Sequence, residues 1–493
     1  MSYIVAIDQG TTSTRSILFD QNMKAINSSQ IEFKQYFPHS GWVEHDPEDL
    51  WNTTVWSFKD VLKKSNLTPD KVVAIGITNQ RETTLVWDPK TGKCVTNAIV
   101  WQDRRTSDFC KKLKDKSLEE MIKNKTGLLL DPYFSSTKIN WILNNIPDGY
   151  IKAKNGELIF GTVDTYLIWK LTGGKSHVTD ATNASRTMLF NIKDHKWDED
   201  ICNLMKIPTN MLPKVLNSSD FFGEVDKNIF GSAIPILGVA GDQQAATIGQ
   251  ACFNPGMIKS TYGTGCFALL NTGSELIKSK NNLLTTIAYR MNNKTTYALE
   301  GSIFIAGAVV QWLRDEMKFL KFANESGALA EQADQDQRLY FIPAFTGLGA
   351  PYWKPNARGA IFGLNRNTGQ SEIIKAALES IAYQSLDLIN AMYLDLNLSK
   401  ENLILRVDGG MSASDWTMQN LSNIIQAPVD RPVFLETTAL GAAWLAGFKA
   451  ELYPNIENFS KLWKRDKRFT PEISEAESND LYSGWQNLIQ KFY

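Results

Sequence analysis

The chain is poor in cysteine and histidine and has neither a long apolar run nor an excess of one charge, and each absence removes a class of function. Its five cysteines, Cys94, Cys110, Cys202, Cys252 and Cys266, are an odd number, widely spaced and without a C-x-x-C pair. Neither a disulfide framework nor a zinc knuckle is expected, and a reducing compartment fits. The four histidines, His39, His45, His177 and His195, fall outside every polar cluster described below, which argues against a histidine nucleophile or a histidine-held metal. Lys plus Arg (52) and Asp plus Glu (53) cancel to a formal −1, without the electrostatic footprint of a nucleic-acid binder. No run of ~18 apolar residues occurs, and MSYIVAIDQG has no basic leader and stops being apolar at Asp8, so the expectation is a cytoplasmic enzyme without a membrane span. No low-complexity tract or flexible linker marks a boundary.

What is present is an ordinary globular composition, 43% hydrophobic and 21% charged over 493 residues. Domains usually run ~100–200 residues, so two or more lobes with a cleft between them are expected. Tyr3 to Asp20, YIVAIDQGTTSTRSILFD, reads as strand, tight Gly/Thr/Ser turn, strand; Met257 to Asn271, MIKSTYGTGCFALLN, repeats that pattern half a chain later. Two similar lobes are one explanation, and chance likeness of short segments is the other. VVAIGI (72–77) and PILGV (235–239) read as buried strands that end in the polar clusters TNQRE and AGDQQ. In open α/β sheets ligands gather at the carboxyl ends of strands, which makes those clusters the places to look for a site. Glu372 to Tyr393 has apolar residues at helical spacing, and Thr437 to Phe448 is a second helix, rich in Gly and Ala and suited to close packing. Strands mixed with helices in both halves indicate α/β lobes.

The turn DQGTTSTR, Asp8 to Arg15, brings together one carboxylate, one glycine, four hydroxyls and one guanidinium. Phosphate would suit it, with Gly10 permitting close backbone approach, hydroxyls and amides donating, and Asp8 able to hold hydrated Mg²⁺ opposite the phosphates. A plain hairpin turn uses the same residue types. Arg81 and Glu82 are a pure donor and a pure acceptor at a strand end, a pair able to read adjacent hydroxyls; a structural salt bridge at a lobe surface is the alternative. Asp242 and Gln243 form a similar pair at the second strand end, and if the strands are neighbours all four side chains converge. Trp101 offers an apolar wall for a carbon skeleton, or simply packing.

Three stretches invite misreading. LTGGKS (171–176) resembles the end of a Walker A loop, but Trp169 stands where its first glycine is required, so a surface turn is expected. YGTGCFA contains GxGxxA without the helix that a dinucleotide fingerprint needs. KKLKDK (111–116) reads as a solvated helix face.

Taken together, DQGTTSTR, GITNQRETTLVW, NAIVWQDRR, DPYFSSTKINWIL, GTVDTYLIWKLTGG, AGDQQAA, YGTGCF, PAFTGLGAPYW and RVDGGMS resemble the FGGY carbohydrate kinases from Tyr3 to about Gly447. NQRET and DPYFS are similar to the members that phosphorylate glycerol rather than xylulose, ribulose or gluconate. The resemblance implies two ribonuclease-H-like, actin-like ATPase lobes, 1–249 with polyol and phosphate contacts and 250–493 with nucleotide contacts, and ATP, Mg²⁺ and glycerol as ligands. It assigns Arg81, Glu82, Tyr133, Asp242 and Gln243 to glycerol, with Trp101 and Phe267 as walls. It assigns Thr11, Thr12, Ser13, Arg15, Thr264, Gly307, Gln311, Gly410 and Ser414 to the nucleotide, Asp8 to Mg²⁺ and Asp242 to the catalytic base. A homodimer or homotetramer is implied as well.

Two positions depart from the family pattern. Ser414 stands where many members have Asn near the adenine; its shorter side chain offers one hydroxyl in place of an amide, and capping the helix suggested by WTMQNLSNII is the alternative role. Ala233, in DKNIFGSAIP, occupies the position of an arginine that binds fructose 1,6-bisphosphate in some bacterial members, so that inhibition is not expected. Two other readings remain: a sugar kinase of the same fold with a different acceptor, and an actin-type structural or chaperone-like module, which would not need Arg81, Glu82 and Asp242.

Overall fold

Both Gly/Thr turns join adjacent antiparallel strands, each pair lying inside its own sheet. The computed structural model describes residues 2–399, 401 and 403–493. In the first sheet β1 (Tyr3–Gln9), β2 (Ser13–Phe19) and β3 (Ala25–Glu32) are antiparallel neighbours. β4 (Val72–Asn79) runs parallel to β1, β6 (Pro235–Gly241) parallel to β4, and β5 (Ser219–Glu224) closes the edge antiparallel, giving the order β5-β6-β4-β1-β2-β3.

The second sheet repeats the scheme. β7 (Ile258–Tyr262) pairs antiparallel with β8 (Cys266–Gly273), which pairs with β10 (Lys294–Ile303), itself flanked by β9 (Leu284–Met291). β11 (Leu405–Asp408) and β12 (Val429–Pro432) follow in parallel beside β7, and β13 (Arg465–Phe469) ends the sheet antiparallel. Three antiparallel strands, two parallel ones and an antiparallel edge thus recur in the same spatial order, with β9 added. The likeness of two short segments extends to whole sheets.

The central strands are apolar on both faces because both faces are covered. Ile4, Ala6, Ala74 and Ala240 face one cluster, while Val5, Ile7, Ile75, Ile77 and Val239 meet Phe58, Val61 and Leu62 of α1 (Pro47–Lys64) on the other. That helix starts on Asp46, whose carboxylate accepts from the Glu48 amide at 2.9 Å, followed by Pro47 at the first position. The chain continues through α2 (Asp242–Gly249), α3 (Gly307–Asp315), α4 (Gln370–Leu396), α5 (Asp415–Ile425) and α6 (Thr437–Lys449). The expected helices over 372–393 and 437–448 are α4 and α6.

The Gly/Ala content of α6 has a direct consequence. A Cβ at Gly76 would stand 2.2 Å from the Ala442 carbonyl oxygen, and one at Gly441 would stand 1.9 Å from that of Ala245. Helix α6, from the second half of the chain, therefore lies on the first sheet and against α2 at backbone contact distance. LTGGKS is a turn with Gly173 and Gly174 at φ +63° and +80°, YGTGCFA continues into a strand, and Lys111, Lys112, Lys114 and Lys116 are exposed. DKNIFGSAIP holds a four-residue helix, Lys227–Phe230, capped by Asp226. Among the described residues no helix is long and apolar enough to cross a membrane.

Candidate active site

Because β1 and β6 flank β4 in parallel, three polar segments share one end of the sheet. Asp8 is level with Thr78, and Gly241 with Asn79. Gln80 ties two of the segments together: its backbone N–H donates to the Gln9 carbonyl at 2.8 Å, and its Nε2 donates to the Gly10 carbonyl at 2.9 Å. The indole of Trp101 donates to Thr11 Oγ1 at 3.0 Å. The four residues expected to converge do so where the third segment begins α2.

Arg81 and Glu82 are neither at the surface nor chiefly paired with each other. They are 3% and 1% exposed and 3.9 Å apart. Arg81 makes a bidentate pair with Glu300 of β10, Nη1 to Oε2 at 2.5 Å and Nη2 to Oε1 at 3.0 Å, and its Nε lies 3.2 Å from Asp242 Oδ1. Nη2 also donates to the Tyr133 hydroxyl at 3.3 Å and Nη1 to Gln244 Oε1 at 3.2 Å. Glu82 accepts from Arg186 Nε at 2.6 Å, while Arg186 Nη2 donates to Glu300 Oε1 at 2.9 Å. The surface-salt-bridge alternative fails because the strand end carrying both residues is roofed by β10 and by Arg186. Glu82 has φ +60°, a conformation costing a non-glycine residue about 1–3 kcal/mol, which the buried network holds in place.

The network sets the electrostatics. Burial pushes the Glu300 carboxyl up, but Arg186 and Arg81 outweigh burial and hold it below its ordinary value. For Glu82 burial wins over the same two arginines and the carboxyl is raised. Asp242 is raised by burial, against the opposing pull of Arg81. It stands at the first position of α2, where the helix dipole favours negative charge, and its Oδ1 accepts from the Gln243 amide at 2.7 Å. Gly241 before it admits the Arg81 stem, whose Cγ and Cδ would lie 2.7 Å from a Cβ there.

An aromatic wall borders this group. Trp101 meets Tyr133 edge-on at 5.6 Å and Phe267 at 6.0 Å, and Arg81 lies 6.0 Å from the Phe267 ring. Of the remaining candidate residues, those of the second half gather around the second sheet, while Thr12, Ser13 and Arg15 stay at the β1–β2 turn of the first. The carbonyls of Gly263 and Thr264 accept from Gly307 and Ala306 at 2.9 Å each, seating the start of α3 on the YGTGCF turn. A Cβ at Gly307 would meet the Gly263 oxygen at 2.5 Å and Met411 Sδ at 3.3 Å, which brings the turn at Gly410 alongside. Thr12, Thr264, Gln311 and Gly410 are exposed and Ser13 is half-buried. Ser414 caps α5, accepting from the Thr417 amide at 3.3 Å. Arg15 pairs with Glu436 just before α6 and donates to Gln30 at 2.6 Å.

Asp8, half-buried, has its carboxyl pushed up to about 7 by burial and by the nearby Asp242, with Arg15 opposing. Sequence reasoning missed Glu300, Arg186 and Lys259, each a lone charge within an otherwise apolar or small-residue segment. Lys259 is fully buried on β7 and donates to Gln243 Oε1 at 2.6 Å. One histidine does touch a cluster: His45 Nδ1 lies 3.3 Å from Gln80 Nε2, with its pKa lowered by burial to about 4, so it is a neutral structural partner.

A family model described as the N-terminal domain of the FGGY family of carbohydrate kinases matches residues 3–249, and the corresponding C-terminal domain model matches residues 258–450. Glycerol kinase of Rhizobium meliloti (strain 1021) is 60% identical over 489 residues, 99% of this chain and 98% of that protein. Glycerol kinase of Brucella ovis is 59% identical over the same shares. The crystal structure of Plasmodium falciparum glycerol kinase with ADP matches at TM-score 0.92 and 36% identity, covering 100% of this chain and 98% of that one. The strand ends that gather these side chains fall within the matched residues, and the chain belongs to the FGGY family of carbohydrate kinases.

Proposed function

We propose that this chain transfers the γ-phosphate of ATP to glycerol, giving ADP and sn-glycerol 3-phosphate, with Asp242 as base. The observation that carries the reading is the state of the Asp242 carboxylate. Oδ1 is held by Arg81 and by the Gln243 amide, while Oδ2 takes no hydrogen bond from the described residues on a side chain that is 32% exposed. An acceptor oxygen is thereby fixed and left free beside Arg81, Glu82, Tyr133 and Gln243, which read hydroxyls, and beside Trp101 and Phe267, which cover carbon. The relatives named glycerol kinase, matched over nearly the whole chain, support glycerol as the acceptor.

Phosphoryl transfer needs positioning and charge stabilisation more than covalent chemistry. Asp242 Oδ2 accepts the hydroxyl proton and orients the attacking oxygen. Residues 1–249 supply the polyol and phosphate contacts, with Thr11, Thr12, Ser13 and Arg15 toward the phosphates. Residues 250–493 supply nucleotide contacts from Thr264, Gly307, Gln311, Gly410 and Ser414.

Asp8 suits Mg²⁺: its carboxylate is disfavoured first by burial and then by the nearby Asp242, and a bound cation would offset both. Among the described residues no group of three or more His, Cys, Asp or Glu could hold a metal alone, so phosphate oxygens and water would complete its shell, as is usual for Mg²⁺. When bound, the ion neutralises charge on the phosphates.

The test is an assay of ATP with glycerol, dihydroxyacetone, xylulose and gluconate in parallel. Glycerol is expected to give the highest kcat/KM. Equal rates would sink glycerol specificity, and ATP hydrolysis indifferent to every polyol would favour an actin-type module. Asp242→Asn is expected to lower kcat ~10²–10⁴-fold, the contribution of a general base, with ATP binding retained.

A further inference from the structure

We propose that Lys259 is a positioning residue of this site, fixing which end of the Gln243 amide faces the polyol; the inference rests on the glycerol-kinase reading. A lysine with no exposure is costly to bury unless its ammonium is engaged. Its Nζ donates to Gln243 Oε1 at 2.6 Å and to Thr261 Oγ1 at 2.9 Å. Among the described residues no carboxylate lies within ion-pair distance of it; burial lowers its pKa, and Asp408, Asp242 and Glu300 oppose that only from further away. Simple charge balance would place the ammonium against a carboxylate, whereas here its shortest contact is a neutral amide.

That contact has one chemical consequence. An ammonium only donates, so the amide oxygen of Gln243 must face Lys259 and the NH2 group must face away. Nε2 donates to none of the described residues and is not among the fully sealed polar atoms. It is an open donor one residue beyond Asp242, whose Oδ2 is an open acceptor. A hydroxyl pair is then met by one donor and one acceptor. Without Lys259 the amide is free to turn its oxygen outward, setting two acceptors side by side and leaving one hydroxyl oxygen without its donor.

The test compares wild type, Lys259→Met, Gln243→Leu and the double variant in steady-state kinetics, with thermal unfolding of each. Lys259→Met is expected to raise KM for glycerol about 5- to 10-fold, the worth of one neutral hydrogen bond, and to leave KM for ATP unmoved. The double variant is expected to be no worse than Gln243→Leu alone, since Lys259 acts through Gln243. Independent, multiplying losses, or equal rises in both KM values, overturn the proposal. If Lys259→Met does not fold, Gln243→Glu decides: its carboxylate keeps the ammonium paired but offers no donor, so KM for glycerol rises, and an unchanged KM overturns the proposal. A wild type inactive on glycerol would instead refute the reading of function.

Discussion

Asp8 carries a charge that the folded chain opposes. Its carboxyl is raised from 3.8 to about 7, so between those values the folded state binds the extra proton. The slope of stability with pH is then negative: the ligand-free protein is most stable on this account below the unfolded value and loses that contribution as pH rises through about 7. Asp8→Asn removes the titrating charge. The ligand-free variant is expected to melt higher than wild type at alkaline pH, with the gap closing toward acid, while phosphotransfer is expected to collapse for want of the proposed Mg²⁺ contact. A variant no more stable than wild type in alkali would mean that Asp8 is not held against its charge. At this scale the sequence was legible where chemistry is concentrated: Asp8, Arg81, Glu82, Asp242 and Gln243 sit in polar clusters that end apolar strands. It was illegible at Lys259, Arg186 and Glu300, because a single charge between apolar or small neighbours looks like an exposed position on an alternating strand.

At the scale of elements, the close approach of α6 and α2 links packing to chemistry. Thr437 to Phe448 was readable as a tightly packed helix from its Gly and Ala content, but periodicity cannot say which partner it packs against. The partner is α2, which begins at Asp242, and the first sheet. Gly441→Ala is expected to destabilise the fold by about 1–3 kcal/mol, the range for an inserted methyl in a well-packed core, because its Cβ would stand 1.9 Å from the Ala245 carbonyl oxygen. Since α2 must shift to make room, kcat should fall as well, although no atom of Gly441 belongs to the proposed site. Chemical denaturation together with steady-state kinetics checks both parts; a stability loss with wild-type kcat would show that α2 tolerates the shift. Ser414 illustrates the reverse situation, a position where a local rule was sufficient, since the N-cap geometry expected from WTMQNLSNII is the one adopted.

For the molecule as a whole, the two halves are joined through the proposed site itself. Arg81 and its partner Glu300 are 219 residues apart in sequence, and Arg186 from the first half binds the same carboxylate. No reading of local pattern finds such a pair, because each partner supplies the reason for the other's burial. Glu300 stays ionised through Arg186 and Arg81 in spite of burial. A carboxyl with a lowered folded pKa contributes stability above its unfolded value and loses it as pH falls through the folded one. Removing the charge leaves two buried guanidinium groups under-compensated, which typically costs about 3–5 kcal/mol. Glu300→Gln is therefore expected to lower unfolding free energy by roughly that amount at neutral pH, with the deficit shrinking in acid as the wild-type carboxylate is protonated. KM for glycerol should rise in the same variant, because Arg81 then lacks the bidentate partner that aims it. Urea denaturation followed by tryptophan fluorescence at neutral and acidic pH, with kinetics on the folded variant, measures all three effects. A deficit independent of pH would show that Glu300 fills space rather than carrying the charge that holds the two halves together.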